Sequence, residues 1–213
     1  SIERGNLGSW TMGQAAPRIA LDIEEYGIQS DTDLGSSDDF GKIDGLVKQV
    51  TDPRGNSNDA RGVPKLFNPD TAEDFDNAVL FKMRAALPSR FWRDLPNMRF
   101  YCSPLQEAVY QYKQISMYGN KGYEYIEADK RYKMTFAGVD IFPVPGMPDD
   151  VCILTHSKNI LWFIEQDVQW EYEREAKKDR WLYHLRYWFD VAFAVPGSVV
   201  AHTNIALPVL ATS

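Results

Sequence analysis

The chain has 213 residues, 44% of them hydrophobic and 25% charged, which suits one large or two small domains with a sizeable core and excludes a disordered or collagen-like chain. Its 23 Lys and Arg against 30 Asp and Glu leave a formal charge of −7, an acidic balance that argues against a surface built to hold nucleic-acid phosphates. Aromatic content is the outlier: 6 Trp, 11 Tyr and 11 Phe make up 13% of the chain.

No run of about twenty apolar residues occurs, so no segment is expected to span a membrane as a helix. The chain begins Ser1-Ile2-Glu3-Arg4, without an initiator Met or a signal peptide, and is expected to be a processed or truncated piece of a longer protein. Leu7 to Tyr26 is mainly helical in pattern, with Ile19, Ile23 and Tyr26 on one stripe. Pro17 is expected to mark a kink or the first turn of a second helix. Gln29 to Gly41 reads as a polar loop, Ile43 to Val50 as a short apolar element, and Thr51 to Pro64 as a second long loop.

Asp70 is expected to cap the next helix, with Glu73 reaching back as a capping box. Phe75, Val79, Met83 and Leu87 then make one face at fourfold spacing, and Pro88 ends the helix. In Asn97 to Ser103, Met98, Phe100 and Cys102 alternate with Arg99, Tyr101 and Ser103, the period of a strand. Pro104 opens a helix running to about Tyr118. Beyond a Gly119–Gly122 turn, Thr135-Phe136, Val139 to Val144 and Val151 to Leu154 read as strands punctuated by Pro and Gly.

From Trp181 to Val195, eight consecutive odd positions are apolar or aromatic, with His184, Arg186 and Asp190 among the even positions between them. That is strict period two, so the segment is a strand with one buried face, roughly 50 Å long. Val168, Trp170 and Tyr172 alternate with Gln169, Glu171 and Glu173 just before it. The charged stretch Arg174 to Arg180 becomes the turn of a long antiparallel hairpin, and ten of the aromatic rings fall between Trp162 and Phe193.

Local signatures of catalysis do not emerge. Cys102 and Cys152 sit in apolar runs and are expected to be core thiols. His156, His184 and His202 are far apart and read as structural rather than metal-ligating. Asp31-Thr32-Asp33 resembles the start of a calcium loop, but Gly35 and Lys42 occupy positions where ligands belong, so a solvated turn is expected. Nucleotide-binding glycine motifs and a G-x-S-x-G elbow are missing from the sequence. Asp38-Asp39 and Asp149-Asp150 read as solvated loop pairs. No catalytic, cofactor or metal residue is assigned.

In order and spacing, these segments resemble the major capsid proteins of tailed bacteriophages, the family with the Hong Kong 97 fold. The pieces that carry the likeness are Ile2-Glu3-Arg4-Gly5 with Leu21-Asp22-Ile23-Glu24-Glu25, Ile43-Asp44-Gly45-Leu46, Asp70 to Pro88 and Phe91 to Ser103. They continue with Phe136-Ala137-Gly138-Val139-Asp140-Ile141, Gly146-Met147-Pro148-Asp149-Asp150, Ile153-Leu154-Thr155, Asn159-Ile160 and the hairpin Val168 to Val195. The resemblance implies an α+β fold in which a spine helix packs on a long antiparallel β-hairpin, the P-domain, beside a mixed α/β A-domain. It divides the chain into P-domain helices over 1–96 (spine helix 70–88), an A-domain over 97–165, the P-domain hairpin over 166–190 and a return to the A-domain over 191–213. The spine helix should then lie across the inner face of the hairpin, with Phe75, Val79 and Met83 against its aromatic rows.

The family's N-terminal arm and E-loop should precede Ser1, so no lysine–asparagine crosslink can be assigned, and the chain as given should be soluble and close shells poorly. The function implied is a non-enzymatic head subunit of a tailed phage or prophage. It would self-assemble as pentamers and hexamers into an icosahedral shell around double-stranded DNA, without sequence-specific binding, cofactor or membrane. Scaffolding and portal proteins are the implied partners, the virion is the implied location, and the host cytoplasm is the site of assembly. Trp170, Tyr172, Arg174, Lys177, Arg180, Arg186, Trp188 and Asp190 are the candidate subunit-interface residues. An encapsulin-like nanocompartment shell shares the fold and is the alternative. An aromatic-rich binding module is a third reading, which should expose several odd-position rings of 181–195 in a cleft.

Overall fold

The computed structural model describes residues 7–52, 63–118, 123–126, 131–175, 177–178 and 180–207. The expected turn at 119–122, most of the loop over 51–64 and the Ile2–Gly5 piece lie outside the described residues.

Helix α1 (Leu7–Gln29) continues through Pro17, so the second helix that Pro17 was expected to open, as the alternative to a kink, does not begin there. One missing N–H and a ring clash do not outweigh the turns on either side. Two short 3₁₀ turns, capped by the side chains of Asp31 and Asp38, lead into α2 (Leu46–Thr51). Strand β1 (Lys65–Phe67) is followed by extended chain, in which Glu73 bridges Ile205 in parallel and exchanges backbone hydrogen bonds with Asn204 and Ala206. That pairing keeps residues around Glu73 out of a helix. Helix α3 (Asn77–Ala86) is accordingly shorter than expected, and its cap is Asp76, whose carboxylate accepts from the amides of Ala78 (2.8 Å) and Val79 (3.1 Å). Asp70 is not its cap.

Strand β2 (Met98–Cys102) and helix α4 (Pro104–Tyr118) fall where the pattern put them. Strands β3 (Tyr123–Ile126), β4 (Arg131–Phe136), β5 (Val139–Pro143), β6 (Cys152–His156) and, near the end, β9 (Val200–His202) complete a mixed sheet of order β1-β9-β6-β2-β5-β4-β3. The two longest strands, β7 (Ile160–Glu175) and β8 (Arg180–Phe193), pair only with each other. The hairpin therefore begins at Ile160 and ends at Phe193, whereas 166–190 was expected.

Strand alternation sorts the core into two layers. Met98, Phe100, Cys102, Cys152, Leu154 and Val200 point to one face of the sheet, where Phe75, Val79, Leu80, Met83 and Leu87 cover them. Tyr101, Ile153, Val199 and Ala201 point to the other, where they meet Ile28 of α1, Leu46 and Val50 of α2, and Val191 and Phe193 of the hairpin base. The fourfold face of α3 is buried as expected, but against the sheet and not against the hairpin. Periodicity identifies the buried face of a helix, not what covers it. The helices that pack on the hairpin base are α1, through Gly27 and Ile28, and α2, through Leu46, Val50 and the hydrogen bond from the Gln49 side chain to the Val191 carbonyl (2.7 Å).

Candidate functional site

The hairpin is the feature that the core does not account for. At its base Ile160, Trp162 and Ile164 stand opposite Phe193, Val191 and Phe189, and nearer the tip Trp170, Tyr172 and Arg174 stand opposite Leu185, Tyr183 and Trp181. Two register shifts, between Ile164 and Gln166 and between Gln166 and Gln169, separate these stretches. Each inserts one extra residue into β7. One such shift would exchange the two faces, and the second returns the aromatic positions to their original side. The opposite side begins apolar, with Leu161 and Phe163 facing Ala192 and Asp190, and becomes charged outward, with Glu171 facing His184 and Glu175 facing Arg180.

The base is seated on α1. The ring of Trp162 lies directly over Gly27, where an added Cβ would fall 2.2 Å from its Cη2 atom. Trp162 stacks on Phe189 (5.8 Å, 27°), which stacks on Tyr187 (5.6 Å, 23°). The same turns of α1 hold the loop between β5 and β6: Gln29 donates to the Gly146 carbonyl (2.8 Å), and the Gly146 amide donates to Glu24 (2.8 Å). A Cβ on Gly146 would meet the α1 backbone at 3.2 Å. Helix α1 thus ties hairpin to sheet.

Beyond that seat, several large apolar side chains face solvent: Phe163 is 52% exposed, Ile164 66% and Trp188 62%. Leu161-Trp162-Phe163-Ile164 is four apolar residues in a row on a strand, the pattern of a segment apolar on both faces, and this signal was available in the sequence. Beside it lies a cavity of about 510 Å³ with Tyr26, Asp39, Lys42, Glu165, Tyr187 and Asp190 on its walls. A smaller one of about 210 Å³ lies beneath Trp162, between Ile28, Leu46 and Phe193.

The eight interface candidates do not share one face. Register groups Trp170, Tyr172 and Arg174 with the aromatic positions of β8, while Arg180, Arg186, Trp188 and Asp190 fall on the other side and Lys177 in the turn. Arg174, Lys177, Arg186, Trp188 and Asp190 are exposed; for Trp170, Tyr172 and Arg180 only the backbone is described. Of the odd-position rings in β8, Tyr187 and Phe189 are half-buried and Phe193 is buried. Tyr187 and Phe189 stack beside the seat on α1 and also line the cavity next to it, while for Trp181, Tyr183 and Leu185 only the backbone is described.

The groups suspected of chemistry have structural surroundings. Cys102 and Cys152 are buried free thiols, both pushed up in pKa by burial. The Asp31–Asp33 turn is occupied by a lysine: Lys48 Nζ lies 2.6 Å from Asp33, 3.0 Å from Asp31 and 3.7 Å from Asp52. Its hydrogen bonds to Asp33 and Asp31 raise the Lys48 pKa. His202 is buried with Nε2 3.0 Å from Glu73, which also takes Lys82 Nζ at 2.6 Å. Lys82 first and His202 second hold the Glu73 carboxyl below its usual range. No group of three metal-ligating side chains occurs among the described residues, and none of their helices is long and apolar enough to cross a membrane.

A helix seated on a long two-stranded hairpin beside a mixed sheet flanked by helices is the α+β Hong Kong 97-type capsid fold. The chain is similar to YqbE of Bacillus subtilis (strain 168), named as a prophage capsid protein, at 25% identity over 203 residues, covering 91% of this chain and 60% of that one. No protein-family model matches. Among solved structures, the satellite phage P4 procapsid aligns with a TM-score of 0.63 and 16% identity over 95% of this chain and 65% of that one. The capsid of an empty GTA particle gives 0.59 and 15% identity over 94% and 67%. The SrpI encapsulin complex of Synechococcus elongatus PCC 7942 gives 0.52 and 12% identity over 76% and 57%. The chain thus spans somewhat under two thirds of the length of YqbE and of the P4 chain.

Proposed function

We propose that this chain is the shell-forming part of a major capsid protein of a tailed phage or prophage, a structural subunit without catalytic activity. It would assemble as pentamers and hexamers into an icosahedral head around double-stranded DNA, with scaffolding and portal proteins as partners, in the cytoplasm of a bacterial host. The observation that carries the reading is the agreement of a sequence match to a prophage capsid protein with a fold match to the P4 procapsid over nearly the whole chain. In this reading α1 takes the place of 70–88 as the spine helix, because α3 covers the sheet face away from the hairpin. The hairpin with α1 and α2 is then the P-domain, and the seven-stranded sheet with α3 and α4 the A-domain, in place of P-domain helices over 1–96. Trp170, Tyr172, Arg174, Lys177, Arg180, Arg186, Trp188 and Asp190 serve subunit contacts, and exposed Phe163 and Ile164 belong with them.

The encapsulin match, weaker and over less of the chain, favours the second reading, a nanocompartment shell. Expression of the full-length gene product followed by electron microscopy tests both. Closed particles holding nuclease-protected DNA in an infected or induced host support the head reading. Particles holding a cargo protein support the nanocompartment. A monomer under all conditions, with the fold intact, refutes both.

A further inference from the structure

The 510 Å³ cavity at the hairpin base is lined by three carboxylates, Asp39, Glu165 and Asp190, against one ammonium, Lys42. Lys42 is engaged with the Ser36 carbonyl. Asp190 accepts the Val191 amide (2.8 Å), while Asp39 and Glu165 make no hydrogen bond or ion pair among the described residues. The inner wall is aromatic, from Tyr26, Phe163, Tyr187 and Phe189. Ser30, also on the wall, is 1% exposed and its hydroxyl oxygen has no hydrogen-bond partner. Burial first, and then nearby charge including Asp39 and Asp22, pushes up the phenols of both Tyr26 and Tyr187, the sign expected where the field is negative. An excess of carboxylate over ring faces is the chemistry that recognises a cationic side chain.

We infer that this cavity receives the basic tip of the hairpin of a second copy of the chain. Between residues 174 and 180 the tip carries Arg174, Lys177, Lys178 and Arg180 against Glu175 and Asp179, an excess of positive charge that complements the cavity. Lys178 is paired with Glu175 (2.9 Å), and Lys177 stands exposed in the turn. Tip and cavity cannot meet within one molecule, because the ten strand residues from Glu165 to Glu175 hold them roughly 33 Å apart. The contact joins two different patches, so it is heterologous and propagates from copy to copy until it closes a ring. The inference rests on the shell-subunit reading and adds the site through which neighbours would engage.

The test is self-association of the full-length protein by sedimentation velocity, with thermal melts to confirm folding of each variant. Glu165→Lys and Lys177→Glu lie on exposed positions at the two ends of the proposed contact. Each alone should weaken association about tenfold, and the double variant should recover to within about threefold of the parent. Raising the salt to 0.5 M should weaken the parent and leave the single variants less affected. Single variants that associate like the parent, or a double variant as weak as the worse single, overturn the inference while leaving the shell reading intact. A parent protein that never self-associates overturns both.

Discussion

Two glycines on one helix should respond to the same substitution with opposite signs. Gly13 and Gly27 both lie in α1, and alanine is favoured over glycine inside a helix by up to about 1 kcal/mol. At Gly13 an added Cβ meets nothing within 4 Å, so Gly13→Ala should stabilise by about 0.5–1 kcal/mol. At Gly27 the Cβ would stand 2.2 and 2.6 Å from Trp162 ring carbons, well inside the roughly 3.5 Å of ordinary contact. The ring, 40% exposed, has somewhere to go, but moving costs it cover. Losing about a third to a half of its covered area is worth about 1–1.5 kcal/mol at about 25 cal/mol/Å², and disturbing the Phe189 stack adds about 0.5–1.5 kcal/mol. After the helix gain is subtracted, Gly27→Ala should destabilise by about 1–2 kcal/mol. Urea unfolding followed by far-UV circular dichroism measures both. In a Trp162→Ala background the sign at position 27 should reverse, because only the helix gain remains. Equal stabilisation by both substitutions in the parent would refute the seating of the hairpin on α1.

Three further outcomes follow from local geometry. Asp76→Ala should cost about 1 kcal/mol of unfolding free energy by urea titration, and Asp70→Ala less than about 0.5 kcal/mol, since Asp76 carries the cap bonds of α3. The Glu73 carboxyl is held low by Lys82 and His202, so its stabilising effect is complete above the usual carboxylate pKa and fades as pH falls through the lower folded value. Glu73→Gln should flatten the acid limb of the thermal-stability profile and leave the neutral-to-alkaline shape unchanged. Lys48 is the opposite case: its raised pKa gives stability that is full below the ordinary lysine value and lost as pH rises through the higher folded one. Lys48→Met should remove that alkaline loss, and hydrogen exchange at neutral pH should quicken in the 31–52 segment, where three carboxylates lose their shared cation.

Much of the secondary structure was legible because its signals are local. Pro104 at the first turn of α4 and the alternation of Met98, Phe100 and Cys102 needed no knowledge of partners. The aromatic alternation from Trp181 likewise marked the hairpin. What could not be read was which surfaces meet. Phe75, Val79 and Met83 are buried in either arrangement, and only the burial of Tyr101 and Ile153 on the far side of the sheet shows that α3 and the hairpin lie on opposite faces. Asp70 and Asp76 are chemically equivalent caps, and the choice falls to Asp76 because Glu73 is drawn into backbone pairing with residues 204–206. Lys48 is fifteen residues from Asp33, and the ion cluster they form replaces the bare turn that the motif suggested. The cavity was invisible for the same reason: Tyr26, Asp39 and Asp190 are brought together only by the seating of the base on α1.

The paired register shifts in β7 constrain how such a hairpin can change length over evolutionary time. A single residue inserted into β7 between base and tip turns the outer half over, placing Gln169 and Glu171 where Trp170 and Tyr172 now stand. Two residues inserted into each strand leave the outward pattern untouched and only add reach. The arm therefore keeps its two faces when lengthened in matched steps of two and exchanges them in a step of one. The tip can be moved nearer or farther in increments of roughly 7 Å without redesigning either surface.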